Sequence, residues 1–123
     1  MRWITSVLAL LLATEASAAP LAPAVRHDVQ CFILFSMAVG AAEKPEQKTA
    51  ATLAVPYYMG KIRTHSPGLD IAQAALDEIR SLRGSPDAER IGEQCDAEFQ
   101  GVGRDLISIG ERLQQLEGKA ATT

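Results

Sequence analysis

Apolar residues recur at steps of three and four along most of this chain. The clearest row is Ile91, Cys95, Phe99, Val102, Leu106, Ile109, Leu113 and Leu116. That spacing holds one side chain per turn on a single helical stripe. The stripe is read as the surface on which the earlier helices pack. Upstream, Cys31, Leu34, Phe35, Ala38 and Val39 fall at i, i+3, i+4, i+7 and i+8, and Phe32 and Ile33 widen the row. Residues 28–43 are therefore expected as a helix, the most buried of the set, with Asp28 as its N-cap. Ala50, Leu53, Ala54, Tyr57, Tyr58 and Ile62 mark a second helix over 48–64. Pro56 lies inside it. Proline removes one backbone hydrogen bond and clashes with the carbonyl four residues back, at ~3 kcal/mol, so a kink or break is expected there. Leu69, Ala72, Ala75, Leu76, Ile79 and Leu82 mark a third helix over 69–83.

The punctuation agrees with these periods. Glu43–Lys48 is charged, contains Pro45 and reads as a turn, and Ser66-Pro67-Gly68 marks the next boundary. Asp70 is early in the third helix and Arg80 and Arg83 are late, as the helix dipole favours. Gly84 suits the position just past a helix end. In Ser85-Pro86-Asp87-Ala88-Glu89, Ser85 can cap, Pro86 fits the first helical position, and Asp87 and Glu89 put negative charge in the first turn. A last helix over 86–117 follows. Unbroken, it would be ~48 Å long, against a radius of gyration of ~13 Å for a compact domain of this size. Gly101 and Gly103 each cost ~1 kcal/mol inside a helix, so a bend, a short break or close contact with the helix carrying Cys31 is expected there. Gly92, Gly103 and Gly110 form a line beside the stripe where another backbone can approach. No strand alternation and no internal repeat appears. The predicted fold is all-α: one domain over 28–118, a compact bundle of four or five helices.

Residues 1–18 read as a cleavable signal peptide. Arg2 supplies the positive start, Trp3–Ala13 the apolar run, and Ala16-Ser17-Ala18 the cleavage site. The run is too short to cross a bilayer, which takes ~20 apolar residues. The expected location is the periplasm or the outside of the cell, with no membrane span after cleavage. Residues 19–27, with Pro20 and Pro23, are expected as a flexible leader, and 119–123 as a disordered tail.

Export changes the reading of the two cysteines, Cys31 and Cys95. Paired cysteines in an exported domain are best read as a disulfide. The alternatives are a catalytic thiol and a metal site. His27 and Cys31 are four apart and can share a helical face. Structural zinc normally takes four ligands and no second paired motif appears, so no metal is expected. The formal net charge of −3 offers no basic excess for phosphates and argues against nucleic acid.

Candidate chemistry is sparse. There is no Gly-rich phosphate loop, G-x-S-x-G elbow, H-E-x-x-H or C-x-x-C. His27 and His65 each sit beside a turn and read as solvated. Asp77, Glu78, Glu93, Asp96 and Glu98 lie mostly off the stripe and read as a solvated face. No catalytic residue and no cofactor is expected. Tyr57 and Tyr58 at the proline position read as core or as the lining of a pocket, and Lys61 and Arg63 beside them can hold an anion. Tyr57, Tyr58, Lys61 and Arg63 are thus the candidate ligand or partner surface. Two functions fit. One is a non-enzymatic module that binds another envelope protein, chaperone-like or inhibitor-like. The other is a small-molecule carrier or sensor with a pocket near Tyr57 and Tyr58.

Asp28-Val29-Gln30-Cys31, Tyr57-Tyr58-Met59-Gly60-Lys61-Ile62, Pro67-Gly68-Leu69-Asp70 and Cys95-Asp96-Ala97-Glu98-Phe99 together resemble a group of small exported two-cysteine helical proteins of alphaproteobacteria. The resemblance covers most of the chain after the signal peptide and implies no activity. More coarsely, two cysteines joining helices in a small exported domain resemble the periplasmic acid-stress chaperones of the HdeA type. The cysteine spacing is longer here and no motif matches residue by residue, so no site residue follows from that likeness.

Overall fold

In the computed structural model, residues 20–122 are described; the expected signal peptide lies outside them. Four helices fill this range: α1 (Pro23–Ala41), α2 (Pro45–His65), α3 (Ile71–Leu82) and α4 (Ala88–Ala121). No strand occurs among the described residues. The all-α bundle is as expected from the apolar periods.

The starts of the helices differ from the expected ones. α1 begins at Pro23, five residues before Asp28. Proline is well placed in a first turn, where its missing N–H has no partner to lose. Residues 23–27 are therefore helix rather than leader, and Val25 is buried. Asp28 is not a cap; it lies inside α1, 3% exposed. α4 begins at Ala88, because Ser85–Asp87 form a turn in which Ser85 Oγ accepts from the Asp87 amide at 3.2 Å. It continues to Ala121, into the expected tail. α3 begins at Ile71 rather than at 69, and Asp70, read as an early acidic residue of the helix, is its N-cap, while Gly84 falls past the helix end as read. The Asp70 carboxylate accepts from the Gln73 amide at 3.0 Å, and Gly84 follows the helix with φ +75°. That is the left-handed region, where glycine has no Cβ to clash.

α2 runs through Pro56 as one helix. Pro56 faces solvent, while Ala51 and Ala54 before it and Tyr58 and Ile62 after it are buried. Burial on both sides of the proline offsets the lost hydrogen bond, so the expected break is absent.

α1 is the element the others share: α2, α3 and α4 all pack on it. Val25, Val29, Cys31 and Ile33 from α1 meet Ala54, Tyr58 and Ile62 from α2, Ala74 and Leu82 from α3, and Ile91 and Cys95 from α4. Arg26 and Gln30 of α1 reach across to α3, where Glu78 Oε1 accepts from Arg26 Nε at 2.9 Å and Gln30 Nε2 at 2.7 Å.

The long stripe of α4 is not the organiser that its period suggested. It is covered only as far as Phe99 and Val102. Beyond them Leu106, Ile109, Leu113 and Leu116 are 51–64% exposed. The helix passes Gly101 and Gly103 without interruption, so the expected break is absent. At 34 residues it is about 51 Å long, longer than the other helices can cover. Of the glycine line, Gly92 lies near the Leu34 side chain, while Gly103 and Gly110 face open space.

Cys31 and Cys95 are bonded, with Cα atoms 5.4 Å apart, at the crossing of α1 and α4. The bond closes a loop of 64 residues in sequence separation. Loop-closure entropy for such a length corresponds to about 4 kcal/mol. Cys31→Ser and Cys95→Ser should each lower unfolding free energy by about that amount, and the double variant by little more, since each removes the same bond. Denaturant titration of the four proteins checks this; additive losses would show that the thiols contribute separately.

Candidate functional site

Four charged or titratable side chains meet beside the disulfide, each one helical turn from a core residue. His27 and Asp28 precede Cys31 by four and three residues, Lys61 follows Tyr58 by three, and Glu98 follows Cys95 by three. Those spacings put all four on the inner edges of their helices. The Lys61 ammonium lies 2.8 Å from Asp28 Oδ1 and 2.8 Å from Glu98 Oε1. Glu98 Oε2 lies 2.9 Å from His27 Nε2. His27 Nε2 lies 3.5 Å from Cys31 Sγ. Three helices are thus tied by one polar chain: Asp28 and His27 from α1, Lys61 from α2, Glu98 from α4.

Aromatic rings wall this chain on one side. Tyr58 is fully buried and its hydroxyl donates to the Cys95 carbonyl at 3.0 Å. Phe35 stacks on Tyr58 at 5.6 Å between centroids, and Tyr57 meets Tyr58 edge-on at 5.0 Å. Phe99 packs on both Phe35 and Tyr57 at 5.7 Å. The Lys61 ammonium sits 5.4 Å from the Tyr58 centroid and 5.8 Å from that of Tyr57, within cation–π range.

The electrostatics follow from this packing. Burial works against charge on Lys61, but the hydrogen bonds of Asp28 and Glu98 outweigh it and raise its pKa above the ordinary 10.5. Burial likewise works against charge on Glu98. Hydrogen bonds from Lys61 and His27 outweigh it and hold the carboxyl below its ordinary 4.5. Burial raises the Tyr58 phenol, and the nearby Glu98 charge adds to it, so Tyr58 stays a neutral donor.

Of the candidate surface residues, the structure brings Tyr57, Tyr58 and Lys61 together. Arg63 is exposed on the next turn of α2 and takes no part in the polar chain. Lys61 spends its charge on two internal carboxylates, which leaves it poorly placed to hold an external anion. His27, Asp28 and Glu98 complete the polar chain, a role the sequence did not give them; Asp28 had the reading of an N-cap, and His27 also that of half a metal pair with Cys31. Glu98 had the reading of a solvated carboxylate and His27 of a surface histidine; here each is about one-third exposed and bonded to the other. Two clefts lie to the side of the rings. One, about 500 Å³, is lined by Arg26, His27, Gln30, Ser81, Arg90 and Gln94 among others, where α1, the end of α3 and the start of α4 meet. The other, about 530 Å³, lies between Leu21 and the start of α3.

Searches with this chain find no matching protein-family model, curated protein or solved structure.

Two tests follow from the polar chain. Lys61→Met leaves the Asp28 carboxylate buried without its cation and should cost about 3 kcal/mol or more. Adding Asp28→Asn should recover part of that loss, because the buried charge goes with it; chemical denaturation of both variants measures the difference. The second test uses pH. Glu98 binds its proton more weakly folded than unfolded, so its contribution is complete above about pH 4.5 and is lost as pH falls through its depressed folded value. Lys61 has the opposite sign: its contribution is complete below pH 10.5 and is lost as pH rises through its raised folded value. Glu98→Gln should lower the melting temperature at neutral pH, where the ionised carboxylate contributes in full, and change it least at low pH, so that the acid limb of the profile flattens.

Proposed function

We propose that this chain is an exported, non-enzymatic helical module that binds another protein of the periplasm, and that the free half of α4 is the surface it uses. The observation that carries this is the uncovered stripe. Leu106, Ile109, Leu113 and Leu116 are each more than half exposed on one helix that extends past the bundle, and Ile107 is exposed beside them. Monomeric proteins rarely leave a contiguous apolar row of this kind in water. The row has the three-four spacing that fits an amphipathic partner helix laid alongside. Asp105, Arg112 and Lys119 flank it on one side and Gly103 and Gly110 on the other. The glycine edge lets a backbone approach closely, and the charged edge sets orientation. Two copies of a chain with net charge −3 repel at long range, which favours a neutral or basic helix of a different protein over a second copy.

Ile109→Asp combined with Leu113→Asp tests this, because neither residue is buried and the fold should survive. The wild-type protein should retain a defined envelope protein, crosslinked from α4 to an apolar helix. The double variant should lose it at unchanged melting temperature. Retention by both proteins, or a concentration-dependent dimer that buries the stripe in sedimentation velocity, would overturn the reading.

A further inference from the structure

His27 Nε2 and the sulfurs of Cys31 and Cys95 all lie within 4.8 Å of one another, a grouping that suits a metal ion. The individual distances are informative. His27 Nε2 is 3.5 Å from Cys31 Sγ. A tetrahedral zinc ion with bonds of about 2.3 Å to sulfur and about 2.0 Å to nitrogen sets those two donors about 3.5 Å apart. A fourth donor is at hand, since Glu98 Oε2 is 2.9 Å from the same nitrogen. The sequence shows only the His27 and Cys31 pair; the other two ligands come from α4, and only the fold brings them close.

We propose that the reduced protein holds one zinc-class divalent cation through Cys31 Sγ, Cys95 Sγ, His27 Nε2 and Glu98 Oε2. In the oxidised protein the sulfurs are bonded to each other and offer no thiolate, so the site exists only after reduction. A small thiol supplies the electrons. Two equivalents of it reduce the disulfide to two protein thiols and are themselves oxidised to one disulfide. The cation then displaces both thiol protons to solvent and forms two metal–sulfur bonds. Neutral His27 gives its Nε2 lone pair, with its ring proton on Nδ1. Glu98 turns Oε2 to the metal while Oε1 stays on Lys61, 2.8 Å away. Lys61 thus orients the ligating carboxylate from outside the coordination sphere and shares its charge with Asp28, as outer partners of metal ligands do. Entry is open, because His27 lines the cleft between α1, the end of α3 and the start of α4. The ion links α1 to α4 at the same point as the disulfide, so either link can join the two helices there.

Cobalt(II) is the direct probe. The full-length protein is reduced with excess thiol, freed of it without oxygen, and titrated with Co²⁺. The expected result is one ion per chain with a thiolate-to-cobalt charge-transfer band and the intense visible bands of a tetrahedral site. Zn²⁺ should bleach those bands. The oxidised protein should show none. His27→Ala and Glu98→Gln should each weaken Co²⁺ by about tenfold or more and alter the visible bands. Circular dichroism guards against unfolding: if reduction loosens the fold, Zn²⁺ should restore helix and melting temperature in the reduced wild type and not in His27→Ala. Absence of the bands, wild-type affinity in both ligand variants, or a reduced chain that has lost helix and does not regain it with Zn²⁺ would each overturn the site.

Discussion

α4 is 34 residues long, yet Ile91 and Cys95 are its only buried residues. Burying one isoleucine stabilises by about 1.5–3 kcal/mol. The partly covered Phe99 adds ring contacts with Phe35 and Tyr57. The covalent link to Cys31, at about 4 kcal/mol of loop-closure entropy, is therefore the largest single term holding α4 on the bundle. It acts where it matters most. It fixes α4 to α1, and α1 is the helix that α2 and α3 also pack against. An apolar footing this small would leave α4 free to slide along its own stripe, since every turn of that stripe offers an equivalent side chain. A bond at one residue removes that freedom and sets which turn meets α1.

The polar chain fixes the same register by a different route. Asp28 is buried and needs a cation, because an unpaired buried carboxylate costs several kcal/mol. Lys61 supplies it only if α2 sits so that Tyr58 reaches the Cys95 carbonyl and the ammonium reaches Glu98. Shifting α4 by one turn would break the disulfide, strand Glu98 and unpair Tyr58 together. The ion pairs of Glu98 are modest by themselves at their partly exposed site. The joint failure of all these contacts in any other register is what makes the arrangement specific.

The class of fold was legible because helical period, Asp70, Gly84 and the Ser85-Pro86-Asp87 signal are local chemistry, and local chemistry acts whatever packs around it. Helix starts were less legible. Pro23 had a flexible-leader reading, yet proline at a first helical position is equally a start signal, and only the burial of Val25 decides between them. Which helix lies at the centre was misread for a physical reason. A three-four period shows that a face is apolar; it does not show what covers that face. The α4 stripe has the longer run, and α1 has the neighbours. The polar chain was half legible: Lys61 was singled out for its neighbours Tyr57 and Tyr58. His27 and Glu98 read as solvated groups and Asp28 as a helix cap, because their partners are 33 to 71 residues away in sequence, on another helix. Their positions one turn from Cys31 and Cys95 were the available signal.

The two halves of α4 are held by different forces. Up to Phe99 the helix has tertiary partners and a covalent anchor. Beyond Val102 none of its residues is buried, and Gly103, Gly110 and Gly118 each set about 1 kcal/mol against the helix. A helix that keeps three glycines and exposes five large apolar residues is not built for stability in isolation. Its local opening energy is lower than that of the bundle, since it lacks buried contacts to lose. A partner helix that covered the stripe would return what the glycines take away, by burying Leu106, Ile109, Leu113 and Leu116 and by approaching closely along the glycine edge. The features that weaken this half as a free helix are therefore the ones that suit it to being half of an interface.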